Sequence, residues 1–288
     1  MGLVLHLILY SIVQSLIEIG SLIGILVFFG LVLGMIERVA NRQLIATFGR
    51  KGVLVTAWIG TPVHELNHAV MCLIFGHKII EIKLLQLRSS DGTLGYVSHA
   101  YNKRSFYQSA GNLFIGIAPI VGGVMVIVLL MHILVPEGFV PISQVFQNNV
   151  PDHAHFFSIT LPAIGVMVKA LFTLQHLFSL SFWCFLFLGM SISSHIALSK
   201  EDIRGARSGL LAVSISFVIV NAVATLLLGG KGNDMMLMLV DACRYYLLVM
   251  VSLVLVFSLL KLGLSSLVFF TKRLFIARRR QQESPPFS

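Results

Sequence analysis

Charge is scarce in this chain. Only 11% of its 288 residues are Asp, Glu, Lys or Arg, where a soluble domain carries about 25%. Hydrophobic residues make up 57% of the chain, and the mean hydropathy is +0.90. Too little charge is available to clothe a globular surface, which excludes an ordinary soluble domain and places the chain in the membrane class. Cysteine is sparse as well. Cys72, Cys184 and Cys243 stand in apolar stretches without a CxxC pair. That excludes a disulfide framework and reads all three as inert core residues rather than a metal set. The first apolar run has no basic segment before it and is too long for a signal-peptide core, so it is expected to be retained. Internal repeats are missing too, and with them the inverted halves on which many transporters are built.

What charge there is leans one way: 21 Lys and Arg against 12 Asp and Glu, a net +9. In a soluble protein this would suggest nucleic acid. Here the basic residues lie between apolar runs and near residue 288, where they act as topology signals and headgroup contacts, and nothing supports base recognition. Apolar runs cover about 3–36, 53–76, 110–135, 158–198, 208–229 and 237–271. A crossing needs roughly 20 apolar residues. The expectation is an all-α polytopic membrane protein with about six transmembrane helices in a lipid bilayer. Gly20-x-x-x-Gly24 and Gly30-x-x-x-Gly34 in the first run suggest close packing within the chain. Glu18 in the same run is expected to face a partner helix or the interface.

The polar stretches between these runs carry their own signals. Ile79 to Leu87 and Thr93 to Ala100 flank Ser89-Ser90-Asp91-Gly92, and Asp-Gly between two β-like runs predicts a small β-hairpin insertion. Residues 136–160 contain Pro136, Pro141 and Pro151 and read as a loop. Asp152, His153 and His155 in that loop read as solvated. Gln175 and His176, inside an apolar stretch, are candidates to line a polar cavity. By the distribution of Lys and Arg, 77–109, 199–207 and the tail should lie on the cytoplasmic side, with 136–160 and 230–236 outside. The basic stretch 37–51 disagrees, because simple crossings would put it outside.

The chemistry is concentrated in His64-Glu65-Leu66-Asn67-His68. Two histidines four residues apart share one face of a helix, so both rings can ligate one zinc ion. The glutamate between them stays off the metal and is the general base. Composition predicts only about 0.01 chance occurrences of HExxH in a chain like this one. A His-Glu-His set inside an apolar helix also costs several kcal/mol unless something compensates, as a metal would.

Pro62 to Ala69 resembles the zinc helix of the site-2 protease family of intramembrane metalloproteases, including the small residue after the second histidine. The order of elements is also similar over about 53–210: the zinc helix, a hairpin region, then a helix beginning near Ala110-Gly111-Asn112 with Ala118-Pro119 further on. The resemblance implies Zn2+ as cofactor, His64 and His68 as ligands and Glu65 as the catalytic base. It implies a third ligand from an aspartate followed by glycine on a later helix. This chain has no Leu-Asp-Gly or Asn-Pro-Asp-Gly there. Asp202 is the first candidate, with a helix N-cap as its plain alternative. His195, seven residues earlier and on the same face of a continuous helix, is the other, as a ligand or as a group that orients one. Asp91-Gly92 looks similar but falls in the turn. Asn112 is a candidate contact to substrate or oxyanion, or a capping or interhelical residue.

The chain divides on this reading into an N-terminal membrane helix and basic interfacial segment (1–52), a metalloprotease-like membrane core (53–210), further transmembrane helices (211–271) and a basic disordered tail (272–288). The expected partner is a membrane-protein substrate, and oligomeric state is open. A non-proteolytic membrane binding or scaffold protein with a structural metal site stays as the alternative, and a transporter behind it.

Overall fold

A computed structural model of the protein describes residues 2–87, 92–147 and 156–283. Along the chain these form α1 (Gly2–Phe48), α2 (Arg50–Ile74), β1 (Lys78–Lys83), β2 (Tyr96–Ala100), α3 (Phe106–Leu134), α4 (Pro136–Gln147), α5 (Phe156–Leu171), α6 (Leu174–Leu177), α7 (Leu180–Ser193), α8 (Lys200–Leu228) and α9 (Gly230–Glu283). The two strands pair antiparallel, Ile79 opposite His99 and Lys83 opposite Tyr96, with an irregularity between Ile79 and Glu81. Four helices, α1, α3, α8 and α9, are long and apolar enough to cross a bilayer.

That is fewer than the six apolar runs suggest, and the reasons are local. The run 158–198 does not form one helix. It breaks after Leu171 and again after Leu177, leaving α5 and α7 at 16 and 14 residues. Helix α2 has the length, at 25 residues, but Arg50, Lys51, His64, Glu65, Asn67 and His68 dilute its apolar character. Residues 136–147, expected as a loop, form α4. Pro136 is the first residue of the helix, where its missing N–H costs nothing, while Pro141 lies inside it. At the other end, α9 continues through 272–283, where a disordered tail is expected.

Helices α1 and α9 run side by side and parallel. Buried Glu18 pairs with Arg244, and Lys261 Nζ donates to Glu37 Oε2 at 2.6 Å and to Asn41 Oδ1 at 3.0 Å. Ser265 donates to Gln43 Oε1 at 2.7 Å, and Lys272 Nζ donates to the Thr47 carbonyl. Each partner on α9 advances with its partner on α1, which fixes the direction. The polar residues of 37–48 are therefore helical; Glu37, Asn41, Gln43 and Thr47 meet α9, while Arg38 and Arg42 stay exposed. The same pairing puts 37–48 and the basic end of α9 together at one end of the helix pair.

Residues 251–258 of α9 are buried on every face. Around them gather Phe185 from α7, Met167 and Leu171 from α5, Ile127 and Met131 from α3, and Phe29 and Leu33 from α1. By contrast, a Cβ at Gly20, Gly24, Gly30 or Gly34 would meet nothing within 4 Å. The close packing expected of those glycines is not made among the described residues. Cys184 and Cys243 are exposed rather than in the core.

Candidate metal centre

Four residues per near-turn place His64 and His68 on one face of α2, and the structure brings Asp202 to them from α8. His68 Nε2 lies 3.1 Å from Asp202 Oδ1, His64 Nε2 3.6 Å from Oδ2, and the two Nε2 atoms are 3.0 Å apart. All three donor atoms fall within 4.8 Å of one another. Asp202 reaches this position because α3 and α8 pack backbone to backbone. A Cβ on Gly209 would sit 2.9 Å from the Ala110 carbonyl oxygen and closer still to Leu113 N. On the other side, Gly60 lets α2 approach the end of α7, since a Cβ there would collide with Ser191 O and the His195 ring.

The other ring nitrogens define the protonation. Pro119 has no N–H, so the Ile115 carbonyl four residues earlier lacks its helical partner. His68 Nδ1 donates to it at 2.7 Å. His64 Nδ1 donates to the His195 carbonyl, exposed where the chain leaves α7. With both Nδ1 atoms donating, both Nε2 atoms present lone pairs. With both rings neutral, three acceptors face one another, an arrangement that repels itself unless a cation or a proton lies between. Two imidazoles and a carboxylate with a side open to a cavity suit zinc. Replacing Pro119 with Ala restores an N–H that competes for the Ile115 carbonyl. The expected result is about a tenfold loss of zinc affinity with no ligand touched, read by competition with a metal indicator. Unchanged affinity would show that His68 is oriented by something else.

The cap and ligand readings of Asp202 coexist. Ser199 is the N-cap of α8, and its Oγ accepts from Asp202 N at 3.1 Å. Asp202 Oδ2 accepts from Ser199 N at 2.7 Å, a reciprocal capping box. Oδ1 remains directed at His68. His195 does not share a helix with Asp202, because the chain is non-helical between Ser193 and Lys200. Its ring Nδ1 contacts the Ser191 carbonyl at 3.0 Å, and it is its backbone oxygen that meets His64.

Glu65 is buried between the two histidines, at the wall of a cavity of about 510 Å³. Gly95 presses against its Cγ, and Tyr96, Val97 and His99 of β2 also line the space. Asn112 lines it too, while its Nδ2 donates to Ser208 Oγ on α8 at 2.9 Å. Thr61, one turn before Glu65, lines the same cavity, and its buried hydroxyl has no hydrogen-bond partner among the described residues. Gln175 and His176 border a separate space of about 160 Å³, where Gln175 Nε2 donates to Glu137 at 3.1 Å. Asp91, Asp152, His153 and His155 lie outside the described residues.

Sequence reasoning missed a second cluster. Cys72, His77 and His99 also bring their ligand atoms within 4.8 Å of one another. The legible signal was Cys72 itself, one turn beyond His68 on the same face of α2. Burial first, then the neighbouring His77 and His68, hold His99 below the usual histidine range. No family model, curated protein or solved structure matches this chain.

Proposed function

We propose that this chain is a zinc-dependent intramembrane endopeptidase resembling site-2 proteases, which hydrolyses peptide bonds in or near transmembrane segments of other membrane proteins. One observation carries the reading: two oriented imidazole lone pairs and a carboxylate from a separate helix converge beside buried Glu65, in a chain built of long apolar helices. His64, His68 and Asp202 would hold the zinc, which when bound polarises the scissile carbonyl as a Lewis acid. Glu65 takes a proton from the attacking water as its oxygen bonds to the carbonyl carbon. It then passes a proton to the leaving amine as the C–N bond breaks.

A helical substrate hides its own carbonyls in hydrogen bonds, so the cleaved stretch must unwind. β2 supplies a backbone against which an extended segment can pair, and the β1–β2 unit is then the hairpin insertion of the family's arrangement. The free hydroxyl of Thr61 gives that segment a polar contact beside Glu65.

The test is cleavage of single-span membrane proteins by the purified chain in liposomes, with fragment masses read directly. Cleavage that stops with a chelator and returns with zinc is expected. Capture of substrates without any cleavage would overturn the protease reading in favour of a membrane binding protein.

A further inference from the structure

Below the HExxH pair, α2 offers another donor on the same face. Cys72 follows His68 by four residues, a rise of about 6 Å, and its thiol is wholly buried. α2 ends at Ile74, and His77 folds back at the end of the turn that follows, its N–H bonded to the Cys72 carbonyl at 2.8 Å. His99 comes from β2. His77 Nε2 donates to the Gln108 carbonyl of α3 at 2.8 Å, so its Nδ1 is a lone pair. That lone pair stands 3.0 Å from His99 Nδ1. The Tyr101 ring stacks on His77, centroids 5.1 Å apart, and fixes the plane of the imidazole. One histidine oriented through a backbone carbonyl, a second ring turned toward it and a buried thiol within reach make a built donor set.

We propose that Cys72, His77 and His99 form a second metal site, selective for a thiophilic d10 cation of the Zn2+ type. A sulfur and two imidazole nitrogens are the donors such ions prefer. Zinc bond lengths call for donor separations of about 3.3–3.8 Å; the three atoms lie within 4.8 Å of one another, and the two Nδ1 atoms, at 3.0 Å, would move slightly apart. Binding releases the Cys72 proton to solvent and takes both rings neutral. The ion ties α2, the turn after it and β2 into one unit, holding β2 where it lines the cavity of the first site. The inference does not depend on the protease reading.

Cobalt separates the two centres, because only a thiolate ligand gives a near-ultraviolet sulfur-to-cobalt charge-transfer band. The full chain is purified in detergent, stripped with chelator and titrated with Co2+. The wild type should bind two cobalt ions per chain and develop the band. Cys72→Ser and His99→Gln should each lose the band and drop from two ions to one, whereas Asp202→Asn should drop to one and keep it. Should Cys72→Ser not fold, the band must persist in Cys184→Ser/Cys243→Ser, which leaves Cys72 as its only source. No band in the wild type, or a band that survives His99→Gln, overturns the second site. One ion with the band sustains this site and removes the HExxH centre; one ion without it does the reverse.

Discussion

Glu65→Gln is expected to bind zinc with unchanged stoichiometry and to cleave a membrane substrate about 10²–10⁴-fold more slowly. The amide keeps the shape of the carboxylate, so the packing of Thr61 and residue 65 of α2 against Gly95 is preserved. It removes the one function asked of Glu65, which is to accept a proton and hand it on. Glu65 stands outside the donor set of His64, His68 and Asp202, so metal content is the internal control. The measurement pairs zinc per chain with the rate of fragment appearance in liposomes. A variant that keeps its metal and most of its rate would sink the assignment of Glu65 as the base.

Asp202→Ala is expected to weaken zinc binding by more than about 100-fold, since loss of a group that merely orients a ligand already costs 10–100-fold. The substitution also strips one half of the capping box, and the two effects must be separated. Ser199→Ala does this. It removes the hydroxyl that accepts from Asp202 N, costing about 1 kcal/mol of stability, while Oδ1 stays within reach of His68. One zinc per chain lost in Asp202→Ala but kept in Ser199→Ala identifies a ligand. Metal kept in both reduces Asp202 to a cap and reopens the search for the third donor.

The parts of the centre that are local in sequence could be read before any fold was known. His64 and His68 share a face because a helix repeats every 3.6 residues, and Glu65 follows from the motif. Asp202 was reachable only through resemblance, as its approach depends on Gly209 admitting α3 to contact with α8, and a glycine in an apolar helix does not announce what it touches. The tie between Pro119 and His68 is written in the sequence as a missing N–H, but the Ile115 carbonyl that it frees lies 47 residues from His68. His99 was read as part of a strand, and only the register that sets it opposite Ile79 brings it over Cys72. Helix α4 was hidden by its prolines, which signal a loop until one is seen to begin a helix. The extent of α1 and α9 was obscured by polar residues that look like linkers when each segment is read alone.

The pairing of α1 with α9 also constrains the order in which the molecule can be made. Glu18 and its cation on Arg244 are 226 residues apart, and Glu37 and Lys261 are 224 apart. A ribosome delivers both carboxylates long before either counter-ion exists. Until then α1 must wait with its acids protonated, hydrated at the headgroups or shielded by a helper. Insertion of α9 is therefore the step that locks the bundle, and a nascent chain stopped before it leaves two acids in an apolar helix with nothing to neutralise them.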